Sequence, residues 1–120
     1  MSEPITIVLP LPSRDVSPNG RGHWAKKARA VKKHREWAVL AVLSDDTPLP
    51  LWRTAEAQAT FYVRDKRRRD GDNYLAMLKP YFDGIVQAGV LKDDSGVRHA
   101  PVLFVVDKKD PRVEIRIRPL

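Results

Sequence analysis

In the stretch PITIVLPL, Ile5, Ile7, Leu9 and Leu11 alternate with other residues. That period predicts a strand with one buried face. Pro10 lacks a backbone donor, so it marks an edge position or the strand's end. The next residues, PSRDVSPNGRG, are rich in Pro, Ser, Asn and Gly and read as a loop. From about Gly22 to Ser44 the period lengthens to that of a helix. Trp24, Ala28, Val31, Ala38 and Val42 fall near one face, and Lys26, Lys27, Arg29, Lys32, Lys33 and Arg35 crowd the remainder. Trp24 is therefore expected in the core. DDTPLPL breaks the helix, and AEAQATFYVR then sets Ala57, Ala59, Phe61 and Val63 against Gln58, Thr60, Tyr62 and Arg64, a second strand.

The block 73–88 carries Leu75, Leu78, Phe82 and Ile85 at helical spacing, and Gly89 follows as a stop signal. Pro80 clashes with a preceding helical turn. Either the helix kinks there, or a short first turn ends and a second helix begins near Pro80. PVLFVVDKKDPRVEIRIRP reads as two strands around KKDPR, with Val113, Ile115 and Ile117 inward and Glu114, Arg116 and Arg118 outward. The order is β-α-β-α-β-β, with no repeat or linker. We expect an α+β fold, a single domain over residues 1–120, in which two helices pack on one face of a small mixed β-sheet.

Charge changes this picture more than length does. Net charge is +7, with 31% charged and 42% hydrophobic residues, which fits a folded chain with a strongly basic surface. Such a surface favours polyanions, nucleic acid ahead of membrane, although a ribosome-associated protein has the same composition. There is no cysteine, which excludes disulfides, thiolate zinc sites and cysteine nucleophiles and suits a reducing cytoplasm. MSEPITIVLPLP lacks the basic start and long apolar run of a signal peptide, and the apolar run WAVLAVL is too short to span a bilayer. The expectation is a soluble intracellular protein.

The densest charge lies in RDKRRRDGDN, where Arg64, Lys66, Arg67, Arg68 and Arg69 run into Asp70 and Asp72. Clustered cations repel, and phosphate contacts would offset the repulsion. On an extended segment Asp70 and Asp72 point the same way. Two carboxylates converging there suit a hard cation with oxygen ligands, Mg²⁺ rather than zinc. Asp93 and Asp94, just past the second helix, can supply a third carboxylate from its opposite end. The plainer alternatives are an N-cap at Asp72 or Asn73 with Asp70 a solvated loop charge, and an ordinary turn at KDDSG. Lys79 lies about two helical turns after Asp72 and near the same face. It is placed to neutralise charge on a phosphate, or equally to pair with Asp83. In SPNGRGHW, Asn19, Arg21, His23 and Trp24 are candidate contacts to a nucleic-acid backbone or base, with the core the favoured place for Trp24. His23, His34 and His99 are scattered, and neither a Ser-His-Asp arrangement nor a phosphate-cradling glycine loop is present.

At RRRDGDN (Arg67–Asn73) and LKPYFDGIVQAGVLKDD (Leu78–Asp94), and more loosely at SPNGRGHW with the helix after it, the chain resembles the RusA family of Holliday-junction-resolving endodeoxyribonucleases, many of them carried by phages and prophages. The resemblance implies a magnesium-dependent homodimer that cuts four-way branched DNA by paired nicks in recombination and repair, with Mn²⁺ able to substitute. It implies Asp70, Asp72 and Asp94 as metal ligands, with Asp93 the weaker candidate beside Asp94. It also implies a catalytic lysine, for which Lys79 is the candidate. The family lysine usually falls four residues after the second aspartate, where this chain has Ala76; a three-residue insertion accounts for Lys79. Asn19, Arg21, Lys26, Lys27, Arg67, Arg68 and Arg69 are then the expected DNA contacts, in the cytoplasm of a bacterial or phage-infected cell. The rival expectation is a non-catalytic binder of branched DNA or structured RNA.

Overall fold

In the computed structural model, which describes residues 3–18, 23–44 and 48–120, the first strand (β1, Ile5–Leu9) stops just before Pro10 and pairs only with the last strand. Both consequences expected of Pro10 therefore hold. The last strand (β5, Arg112–Pro119) lies antiparallel between β1 and β2 (Ala55–Val63), with Ile7 opposite Ile115 and Ala57 opposite Ile117. Their inward residues, Ala55 through Val63 at alternate positions with Val113, Ile115 and Ile117, form the buried floor of the core.

Two short strands, β3 (Val97–His99) and β4 (Leu103–Val106), run parallel to the other side of β2. Ala57 faces His99 and Thr60 faces Leu103, so the pairing offset rises from 42 (99 − 57) to 43 (103 − 60). The extra residue is absorbed across residues 100–102 as a bulge. The pattern missed β3 because Val-Arg-His is too short and polar to show alternation. The strands flanking KKDPR do not pair with each other; they lie on opposite sides of β2. Arg112 ties that crossover together. It donates to Asp107 (2.9 Å), to the Asp110 carbonyl (2.9 Å) and to Glu114 (2.7 Å), with its guanidinium 3.8 Å from the Tyr62 ring centre.

The first helix (α1, Trp24–Leu43) buries His34, Ala38 and Val42, one residue per turn. Trp24 is not in the core. It is 77% exposed, because the packed stripe begins further along and leaves the first turn projecting, with Trp24 beside the His23 ring. Pro80 resolves as a break rather than a kink: α2 spans Gly71–Ala76 and α3 spans Lys79–Ala88, with Pro80 in the first turn of α3, where no intrahelical bond is lost. α1 and α3 touch at Gly84. A Cβ there would lie 2.8 Å from the Ala38 Cβ and would overlap the Arg35 carbonyl oxygen, so only glycine fits. Gly89 ends α3 in the left-handed conformation (φ 103°), its N–H capping the Ile85 and Val86 carbonyls.

Two buried polar groups join these layers. His34, 2% exposed, donates from Nδ1 to the Ala30 carbonyl (2.7 Å) and accepts at Nε2 from the Ser13 N–H (3.0 Å). Tyr81, stacked on His34, donates its hydroxyl to the Pro10 carbonyl (2.7 Å). The loop after β1 is thereby fixed to both helices.

Candidate active site

Asp70 is the N-cap of α2. One carboxylate oxygen accepts from the Asp72 N–H (3.0 Å) and the Asn73 N–H (3.3 Å), which offsets two of the donors that a helix start leaves unsatisfied. The helix thus begins at Gly71, and Asp72 stands exposed in its first turn. The cap expected at Asp72 or Asn73 sits instead on Asp70, whose second oxygen makes none of these bonds. Asn73 accepts from the Ser17 hydroxyl (3.5 Å), which ties Ser17 to α2.

Lys79 opens α3, and the chain after Gly89 runs back along that helix to meet it. Lys79 Nζ lies 3.4 Å from Asp83 Oδ1 and 3.6 Å from Asp94 Oδ2. Asp83 and then Asp94 hold the ammonium above the ordinary lysine range. Of the two alternatives read for Lys79, the structure shows the pairing one turn on with Asp83, and it adds a contact with the distant Asp94. Asp93 and Asp94 divide the work. Asp93 accepts from the Ser95 N–H (3.1 Å) and caps the short 3₁₀ turn Asp94–Gly96, and the Ser95 N–H holds its carboxyl below the usual range. Asp94 is the one turned to Lys79.

Among the described residues, no group of three or more His, Asp or Glu side chains is drawn together as a metal cage. Asp70 accepts from two backbone N–H groups, and Asp94 pairs with Lys79. The donor set, carboxylate oxygens without thiolate or clustered imidazole, fits a hard divalent cation.

The cationic surroundings differ from their appearance in sequence. Arg69 is inward: its side chain is 7% exposed, and it donates to the Asp65 carboxylate (3.0 Å), the Asp65 carbonyl (3.0 Å) and the Arg67 carbonyl (2.7 Å). The Arg67 N–H and the Arg69 side chain together keep the Asp65 carboxyl below its usual range. Arg69 shapes the loop on which Arg64, Lys66, Arg67 and Arg68 stand exposed. Phe104 and Val106 of β4 and Val63 form the apolar wall of a cleft beside this loop, about 540 Å³ in volume. From α1, Lys27 reaches a second cleft of about 240 Å³, which it lines with Lys79 and Asp83, while Lys26 lies 3.8 Å from Asp15. Asn19 and Arg21 fall outside the described residues.

His99 is a residue that the sequence reading set aside as scattered. Its ring meets Phe82 edge-on (4.8 Å); burial lowers its pKa and the Asp94 charge opposes the shift. Only the return of the chain along α3 puts His99 in that field, and no spacing rule announces it.

The family described as endodeoxyribonuclease RusA matches residues 22–118. The chain belongs to the RusA family. It is also 38% identical, over 97 residues, to an uncharacterized protein of Xylella fastidiosa (strain Temecula1), a match covering 78% of this chain and 63% of that relative. The chain thus spans less than two thirds of that relative's length. The RusA match takes in α2, α3 and the return to Asp94, together with Gly84 and Gly89, whose packing and backbone roles are given above. Ala76, at the usual RusA lysine position, is exposed at the end of α2, and the lysine near Asp94 is Lys79. Among the described residues no helix is long and apolar enough to cross a membrane.

Proposed function

We propose that this chain is an endodeoxyribonuclease that resolves four-way DNA junctions by paired phosphodiester hydrolysis in recombination and repair, with Asp70, Asp72 and Asp94 holding Mg²⁺ or Mn²⁺. The observation that carries the reading is the contact of Lys79 with Asp94 in a RusA-family chain, next to the helix that bears Asp70 and Asp72.

Asp70, Asp72 and Asp94 would hold the divalent ion, which would supply Lewis-acid activation of a water and charge stabilisation at the leaving oxygen. The chain's own groups do the rest. Lys79, kept charged by its two acids, opposes the charge that builds on the scissile phosphate. Asp70, while it caps α2, fixes the first turn and so the direction of Asp72. Arg67, Arg68 and Lys27 hold the phosphates of the arms, with Asn19, Arg21 and Lys26 as further contacts, giving salt-dependent binding with little base information. Arg69 contributes by holding the loop. A four-way junction has two-fold symmetry, so a homodimer presents one site to each of two opposed strands.

One observation favours a second reading. Asp70 already has a structural job as a helix cap, as a non-catalytic binder of branched DNA or structured RNA would require. Replacing Asp72 with Asn separates the two. The nuclease reading requires nicking of a synthetic junction to collapse while low-salt junction binding survives or strengthens. Wild-type protein that binds the junction yet never nicks it with Mg²⁺ or Mn²⁺ is a binder, and tighter binding to structured RNA than to the junction would point to RNA.

A further inference from the structure

Of the chain's three tryptophans, Trp37 and Trp52 are half-buried and only Trp24 is exposed, at 77%. A single exposed apolar side chain needs no explanation by itself. What sets Trp24 apart is its place. It continues the α1 stripe of His34, Ala38 and Val42 beyond the packed part of the helix. Trp24, Lys27 and Val31 stand at i, i+3 and i+7, so they share one side of α1. Lys27 and Val31 line the cleft of about 240 Å³ together with Lys79, Pro80 and Asp83. Trp24 therefore stands about one helical turn from Lys27, at the outer end of the row that leads to Lys79.

The indole is also held in place. His23 caps α1 with its ring: Nδ1 accepts from the Ala25 N–H (3.2 Å), and the imidazole lies stacked against the indole, 5.7 Å between centres and 26° between planes. No acidic residue stands in the first turn, and Lys26 and Lys27 follow Trp24 with exposed side chains. An aromatic face bordered by cations suits a stacked base, whose own phosphates lie on either side of it. We propose that Trp24 is a stacking platform for a DNA base exposed at the branch point of the junction. A base inside a duplex has both faces covered by its neighbours, whereas a branch point interrupts the stack and leaves a face that the indole can cover. The contact thus adds selectivity for branched DNA to phosphate contacts that have none. This assignment rests on the proposed junction-cutting reading, which it deepens by naming the feature of the substrate that is recognised.

The test titrates wild-type protein, Trp24→Ala and Trp24→Phe with a synthetic four-way junction and with a linear duplex, without divalent metal. Wild-type tryptophan emission should be quenched by the junction, and both variants should lose that quenching. Trp24→Ala should bind the junction at least about fivefold more weakly, the low end of the cost of one base stack, with little change on the duplex. Its salt slope should stay that of wild type, whereas Lys27→Ala should flatten the slope by about one ion. Trp24→Phe, which keeps a ring, should recover most of the affinity, and the melting temperature should not move in either Trp24 variant because the side chain is exposed. Quenching that survives in Trp24→Ala, wild-type junction affinity in that variant, or an equal loss on duplex and junction overturns the proposal. The two readings fail separately: quenching and branch-selective loss in a protein that never nicks sink the activity and spare the platform, whereas undiminished junction binding by a Trp24→Ala protein that nicks does the reverse.

Discussion

Lys79 and Asp94 stand at opposite ends of the segment Leu78–Asp94, yet Nζ and Oδ2 are 3.6 Å apart. The contact exists because Gly89 reverses the chain in a conformation that L side chains rarely adopt, and because buried Val90 and Leu91 pin the return along α3. Lys79→Ala should lower junction nicking about 10²–10³-fold, the cost of removing one preorganised charge partner from a transition state, with a smaller loss of binding. Lys79→Arg should restore part of the rate. Its two acids keep Lys79 protonated past the ordinary lysine range, so the alkaline limb of a rate profile should not fall below about pH 10 on its account. Wild-type nicking by Lys79→Ala would remove the residue from the mechanism.

His34 makes stability depend on pH. Burial is the largest influence and lowers its pKa below the ordinary value of 6.5. The folded state therefore prefers the neutral ring, whose Nε2 accepts from Ser13. The stabilisation is full above pH 6.5 and is lost as pH falls through the lower folded value. His99 shifts in the same direction and adds to the effect. Urea unfolding at pH 8 and pH 5 should show wild-type protein losing stability, with a shallower loss in His34→Gln. Equal slopes in the two proteins would place the titration elsewhere.

Gly84→Ala tests the helix crossing. The added methyl meets the Ala38 side chain and the Arg35 backbone, neither of which can swing away. Overpacking of this kind costs about 1–3 kcal/mol or more, and in a domain of this size each kcal/mol lowers Tm by several degrees. A thermal melt within a degree of wild type would mean that the helices separate at little cost.

The basic loop makes two different predictions. Arg68→Ala removes an exposed cation, so junction affinity should drop and the salt slope flatten by roughly one ion, at unchanged stability. Arg69→Ala removes three hydrogen bonds from a side chain that is nearly buried. It should loosen the loop and lower Tm, and only the structural loss predicts that Arg69→Lys fails to rescue it. Identical behaviour of the two alanine variants would contradict the division.

Much of the architecture was legible because the core follows period-two and period-3.6 rules: β1, β2 and β5 alternate, and Pro10, Gly89 and Pro80 punctuate where backbone chemistry requires. What escaped depends on pairing between distant segments. β3 is three residues whose strand character comes from β2 alongside, and Trp24 sits on the helical stripe but beyond the surface the helix covers. Among the candidate site residues, the Lys79–Asp83 spacing could be read locally, whereas the extended geometry expected for Asp70 and Asp72 was not met, because α2 begins at Gly71 between them. The approach of Asp94 and His99 could not be read locally, since it depends on the chain's return along α3. Arg69 looked like its neighbours in sequence, and only the fold separates the arginine that builds the loop from those it presents.

The central proposal is that Asp94, which the fold brings to Lys79, acts with Asp70 and Asp72 in hydrolysis. Its most direct test is strand-resolved nicking of a four-way junction labelled on each strand in turn, with Mg²⁺, comparing Asp94→Asn with wild type. The account predicts symmetrical cuts in two opposed strands by wild-type protein and at least about a hundredfold loss in Asp94→Asn, with junction binding and melting temperature retained. Undiminished paired cutting by a folded Asp94→Asn protein would contradict it.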